Sequence, residues 1–246
     1  MNLPITVAEF ASWPFIQAAM KKPNCPKSVL SFFLGVDYSS ESTYIGELKD
    51  GTRVRDMNPL WFTGGSQYDE LCMSFQEIIR KSGANKLRDD KEWNTTDGKM
   101  AQVILCDQLA RNCFRGSGES YAYEDTSLTL AKELANQALS KPNSVVSDGE
   151  VYGAYGLVCV FPCMHSEKLE DHELALELNA WGKNVTPALG WDFQRKFEIQ
   201  HKEVIEKFGR YPHRNGQLGR ESTKEELAFL ENKNELPVWA GGKKFP

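Results

Sequence analysis

A chain of 246 residues, 41% hydrophobic and 26% charged, has the composition of a globular protein long enough to bury one sizeable core. Its formal net charge of −5 excludes bulk electrostatic attraction to nucleic acid or to an anionic membrane surface. The longest uncharged run, Val151 to Met164, falls short of the roughly 20 apolar residues that a membrane-spanning helix needs.

Residues 7–21 carry a helical pattern that Pro14 breaks, and Lys22 to Pro26 is rich in turn formers. Residues 1–28 are therefore expected as a helical extension, followed by a short apolar run from Val29 to Leu34. From Gly35 to Asn58 the Ser, Gly and charged residues follow no sustained period, so a long loop or insertion is expected over 35–58. Ser66 is placed to cap a helix reaching about Lys81, with Leu71, Phe75, Ile78 and Ile79 inward. Thr96 opens a helix to about Phe114, and another spans Thr126 to Leu139 until Pro142 stops it. Asp148 begins a buried helix ending near Pro162. Helices follow over Asp171 to Lys183 and Asp192 to Phe208, and Ser222 to Glu225 matches a capping box before a last helix ending near Asn232.

Alternation of period two persists nowhere. The expected fold is all-α: a single domain over 29–232 made of stacked antiparallel helical hairpins, with 233–246 as a C-terminal tail. No repeat of 34 residues is visible, so stacking is inferred from architecture alone.

The cysteines are Cys25, Cys72, Cys106, Cys113, Cys159 and Cys163, and none forms a C-x-x-C pair. No basic segment followed by an apolar run opens the chain. Free, buried thiols in a cytoplasmic protein are expected.

Three constellations carry chemistry. The first is the helix segment Asp107-Gln108-Leu109-Ala110-Arg111-Asn112-Cys113-Phe114-Arg115. At 100° per residue, Asp107, Gln108, Arg111 and Arg115 share about one third of the circumference, and Asp107 can pair with Arg111 at i,i+4. Either this is a solvated face or a polar lining to a cleft. The second is His165-Ser166-Glu167 at the end of the buried helix. Here His165 either caps carbonyls or performs acid–base work with Glu167 orienting it. The third is the loop from Gly209 to Arg220, which gathers Arg210, His213, Arg214, Asn215 and Arg220, with His201 upstream. Arginine binds carboxylate or phosphate in a fixed fork and histidine titrates near neutral pH, so the loop is either a ligand site or a set of structural ties.

A metal site on His165, Glu167, His201 and His213 is not expected, because no pair has the spacing one helix uses and nearby arginines repel a cation. No glycine-rich phosphate loop or nucleophile elbow is present, and no cofactor is expected.

Asp107-Gln108-x-x-Arg111-Asn112-x-Phe114-Arg115-Gly116, His165-Ser166-Glu167, Gly209-Arg210-x-Pro212-His213-Arg214-Asn215-x-x-Leu218-Gly219-Arg220 and Pro59-Leu60-Trp61-Phe62 together resemble the domain-of-unknown-function 924 family from about Val29 through Leu230. The resemblance implies an all-helical, right-handed superhelix of the tetratricopeptide-like type and leaves activity open. The chain departs from the family pattern in three places. Leu109-Ala110 stands where Phe-Pro is usual, which removes a kink; Gly35 to Met57 is longer; and Met164 replaces a Glu before His165.

The favoured expectation is a pocket for a small anionic metabolite held by Arg111, Arg115, Arg214 and Arg220. Trp61, Asp107, Gln108, Asn112, Glu167, Arg210 and Asn215 are the further candidate ligand-binding residues, and His213 or His165 would transfer a proton. The alternatives are a groove for a peptide or protein partner, and motifs that are purely structural. Two geometric expectations follow: His213 and Arg214 should reach Arg111 and Arg115, and His165 should share their cleft.

Overall fold

A computed structural model describes residues 5–140 and 152–246. The described residues form helices and turns, and the β-type pairing among them is an isolated bridge between Pro237 and Lys244. None of their helices is long and apolar enough to cross a membrane.

Helix α1 (Val7–Ser12) starts at Thr6, whose hydroxyl accepts the Glu9 N–H at 3.1 Å, and Pro14 sits at the first position of α2 (Pro14–Lys21). Phe10 and Ile16 of these helices enter the same core as the rest of the chain. Helix α3 (Pro26–Leu34) is buried over most of its length.

The loop expected over 35–58 is instead largely helical: α4 (Glu41–Asp50) and α5 (Thr52–Thr63). Tyr44 and Leu48, then Val54, Met57 and Trp61, follow a helical spacing that the surrounding polar residues and Pro59 obscure. Gly51, at φ 76°, supplies the left-handed residue that ends one helix and begins the next.

The helix expected from Ser66 to Lys81 is broken in two. Helix α6 (Gly65–Cys72) begins before Ser66, which makes no cap; a 3-10 turn over Met73–Phe75 then leads to α7 (Gln76–Gly83). The cap of α8 (Thr96–Val103) is Thr95, whose hydroxyl accepts the Gly98 N–H at 3.0 Å, and not Thr96. This rod continues through a π-helical stretch, Ile104–Leu109, into α9 (Ala110–Cys113). The rod is thus irregular at the place where the sequence suggested a lost kink, because the π stretch re-phases the side chains that follow it.

Helices α10 (Glu124–Leu139), α11 (Gly153–His165), α12 (Leu169–Val185) and α13 (Trp191–Phe208) complete the body. Pro142 and Asp148 lie outside the described residues. Helix α10 packs on α11, α11 on α12 and α12 on α13, and α8 packs on both α3 and α10. One apolar core runs from Phe10 to Trp191, and a smaller cluster of Val204, Ile205 and Tyr211, flanked by Phe208, Phe229 and Trp239, holds the C-terminal part. Gly209 ends α13 at φ 67° and turns the chain into the arginine loop. The last helix, α14 (Lys224–Glu231), carries its capping box on Thr223 and Glu226, one residue later than expected. The segment expected as a tail folds back: Lys243 N–H donates to the Lys233 carbonyl at 2.8 Å, and Trp239 stacks on His201. All six cysteines are free.

Candidate functional site

The π stretch carries Asp107 and Gln108, both buried, and α9 carries Arg111. Asp107 Oδ1 faces His165 Nδ1 at 2.8 Å and accepts from Arg111 Nη2 at 3.3 Å, and Gln108 Nε2 donates to Asp107 Oδ2. Burial works to raise this carboxyl, but His165, Arg111 and Gln108 outweigh it and hold Asp107 ionised, well below the usual carboxylate range. The orienting carboxylate of His165 is therefore Asp107, not Glu167. It comes from another helix, so Met164 at the family's Glu position costs His165 no partner.

Arg111 reaches beyond Asp107. Its Nη2 donates to Glu124 Oε1 at 2.5 Å, and Glu124 Oε2 accepts from Arg214 Nη1 at 3.2 Å. Arg214 sits on a 3-10 turn, Pro212–Arg214, and is only 3% exposed. Its guanidinium carbon lies 4.4 Å from the Tyr211 ring centroid and 5.0 Å from that of Tyr121, and Arg111 lies 5.4 Å from Tyr121. Each ring offers its π density to a cation that has lost water. The Nε atoms of Arg111 and Arg214 are buried with no hydrogen-bond partner among the described residues.

Three imidazoles border this pair. His165 lies 6.2 Å from His201, and His201 and His213 lie 5.9 and 5.7 Å from Tyr211 between ring centroids. Trp239 stacks on His201 at 3.8 Å and meets the edge of His213 at 5.4 Å. Burial, then the fields of Arg214 and Arg111, push His213 down to about 3. Burial lowers His165 as well, with Arg111 reinforcing it and Asp107 opposing, and burial takes His201 well below its ordinary value. Near neutral pH all three rings are uncharged hydrogen-bonding groups.

The remaining candidates go elsewhere. Glu167 grips Arg220 through both carboxylate oxygens at 2.7 and 3.0 Å and accepts the Tyr211 N–H at 2.8 Å. Arg220 also donates to Asn215 Oδ1 and to the Tyr211 carbonyl. Arg210 forks onto Glu226 at 2.6 and 2.8 Å, and Asn215 Nδ2 donates to Ser222 Oγ. Arg115 and Asn112 share Asp69 of α6 at 2.6–2.9 Å, so the wedge expected on one helix face divides after Arg111. Trp61 stacks on Phe33 at 4.3 Å and donates to its carbonyl, deep in the core. The structure thus brings together Asp107, Gln108, Arg111, His165, His213 and Arg214, and places Trp61, Asn112 and Arg115 outside that group.

Sequence reasoning did not find Glu124, Tyr121, Trp239 or the support beneath His165. That support is His172, whose Nδ1 faces Glu198 Oε1 at 2.6 Å and whose Nε2 faces the Ser166 carbonyl at 3.0 Å. Burial raises the Glu198 carboxyl, with its hydrogen bond to His172 opposing. The signal was His172 itself, a histidine seven residues after His165 in the sequence.

Among the described residues no three His, Cys, Asp or Glu side chains converge as a metal ion would require. A cavity of about 320 Å³ opens elsewhere, lined in part by Lys27, Glu41, Glu92 and Asp97, and shares no residue with the arginine–imidazole cluster.

No curated protein matches the chain. A solved protein of unknown function from Agrobacterium tumefaciens is similar at 27% identity and a TM-score of 0.53, over 70% of this chain and 88% of its own. The family model of the bacterial proteins of unknown function DUF924 matches residues 42–234, which include Asp107, Arg111, His165, His213 and Arg214. On that match the chain belongs to the DUF924 family.

Proposed function

We propose that the protein binds a small molecule bearing a carboxylate or phosphate at Arg111 and Arg214, with His165 as the proton-transferring group. One observation carries this reading. Two guanidiniums, Arg214 buried and Arg111 half-buried, share Glu124 and the Tyr121 ring, and each keeps a buried Nε–H with no acceptor among the described residues. A buried unpaired donor costs about 1–3 kcal/mol, so two at one place are better explained by a ligand than by folding. His165 supports chemistry as well as binding. Its Nδ1 is taken by Asp107, which leaves Nε2 to meet a ligand, the arrangement in which a carboxylate orients a general base. His213 and Gln108 serve as neutral hydrogen-bonding groups at the rim.

Glu167, Arg210, Asn215 and Arg220 fit the structural alternative. Their donors and acceptors are spent on one another and on backbone, and they hold the C-terminal segment against α11 and α13. The successive packing of α10 to α13 supports a tetratricopeptide-like stacking, although the polar groups gather in one place and not along a peptide-binding groove.

A thermal-shift screen of organic acids and phosphorylated metabolites tests the reading. A ligand at about 100 times its Kd adds near 2.7 kcal/mol of stability. The shift is expected to disappear in Arg214→Met and persist in Arg115→Met. No shift with any anion, or one untouched by Arg214→Met, removes the proposal.

A further inference from the structure

Two carboxylates meet Arg111, of which Glu124 alone also meets Arg214 among the described residues, and they are held differently. Asp107 is sealed: its side chain has no exposed surface, and His165, Gln108 and Arg111 all bond to it. Glu124 stands in the first turn of α10 with 27% of its side chain exposed, and among the described residues its carboxylate hydrogen-bonds to the two arginines. It gives one oxygen to each, Oε1 to Arg111 and Oε2 to Arg214. That is the bridge a ligand's oxyanion would make between the same two guanidiniums.

Glu124 also fits its place incompletely. With both oxygens used, the two Nε–H groups stay unpaired. A free oxyanion is not tethered to α10 and can shift to meet them. Glu124 loses little by leaving, because the first turn of a helix stabilises negative charge and the side chain already borders solvent.

We infer that Glu124 is an internal competitor: its carboxylate occupies the position of the ligand's carboxylate or phosphate and swings to solvent when ligand binds. The inference rests on the anion site proposed above and names what sets its affinity. If Glu124 fills the site about nine-tenths of the time, the apparent affinity is about tenfold weaker than the intrinsic one.

The experiment is calorimetric titration of inorganic phosphate, and separately of acetate, into wild type, Glu124→Gln and Glu124→Gln/Arg214→Met, with chloride fixing ionic strength. Glu124→Gln is expected to bind about tenfold more tightly than wild type, and the double variant to lose binding. The anion that gains more is the one the site is shaped for. Glu124→Asp serves as a second variant, since it keeps the charge but shortens the reach, and it is also expected to bind more tightly than wild type. If wild type binds phosphate or acetate through Arg214 and neither variant is tighter, the competitor role is wrong and the anion site stands. If wild type and both variants bind neither anion, both proposals fall.

Discussion

Replacing His213 by Gln should flatten the loss of stability on acidification. The ring is pushed from its ordinary 6.5 down to about 3 by burial, Arg214 and Arg111, so the folded state refuses a proton that the unfolded chain accepts. The sign follows: stability is full above the unfolded value of 6.5 and is lost as pH falls from there toward about 3. Between about pH 7 and about pH 5 one such ring costs about 2 kcal/mol, from about 1.4 kcal/mol per pH unit below the unfolded value. This is a ceiling, since the ring keeps some solvent access. Urea melts of wild type and His213→Gln at each pH give the two slopes. Their carboxylates are shared, so the difference isolates position 213. Wild type should lose up to about 2 kcal/mol more than the variant. Equal slopes would show that His213 is not held uncharged by the arginines, and the electrostatic description of the cluster would fail.

Glu167→Gln should lower stability by about 1–3 kcal/mol, because it breaks the fork to Arg220 and leaves a half-buried guanidinium without its carboxylate. At about 2–4 °C per kcal/mol for a chain of this size, differential scanning calorimetry resolves it. Tyr211→Phe removes the hydroxyl that donates to the Met164 carbonyl at 2.5 Å, and about 1–2 kcal/mol should go with it while anion binding persists. Burial pushes the Cys106 and Cys113 thiols up to about 12, so iodoacetamide followed by mass spectrometry should label half-buried Cys25 first and reach Cys106 only on unfolding.

The helical rods were legible because apolar residues recur at helical spacing, and Gly209 and Pro14 punctuate them where backbone geometry requires. Helices α4 and α5 were not, because Gly46, Pro59 and a polar surface dilute a period that Tyr44, Leu48, Val54 and Met57 still carry. The chemistry-bearing segments were also legible as residue types, but the division of labour among the arginines was not. Arg210, Arg214 and Arg220 look alike in sequence. Their roles diverge because Glu226, Glu124 and Glu167 reach them from 16, 90 and 53 residues away. Arg115 was expected to line the same cleft as Arg111, but the partner that takes it and Asn112, Asp69 of α6, lies 46 and 43 residues away from them in sequence and was not legible.

The anion site is tested most directly at the two unpartnered donors. Arginine Nε–Hε resonances are resolved by nitrogen–proton correlation spectra, and single Arg→Lys variants assign them. On titration with inorganic phosphate, the Hε signals of Arg111 and Arg214 should move downfield and saturate together, while those of Arg210 and Arg220, already bonded to Glu226 and Asn215, stay in place. Saturable movement of Arg210 or Arg220 alone, or none at Arg111 and Arg214 up to high phosphate, would contradict the site.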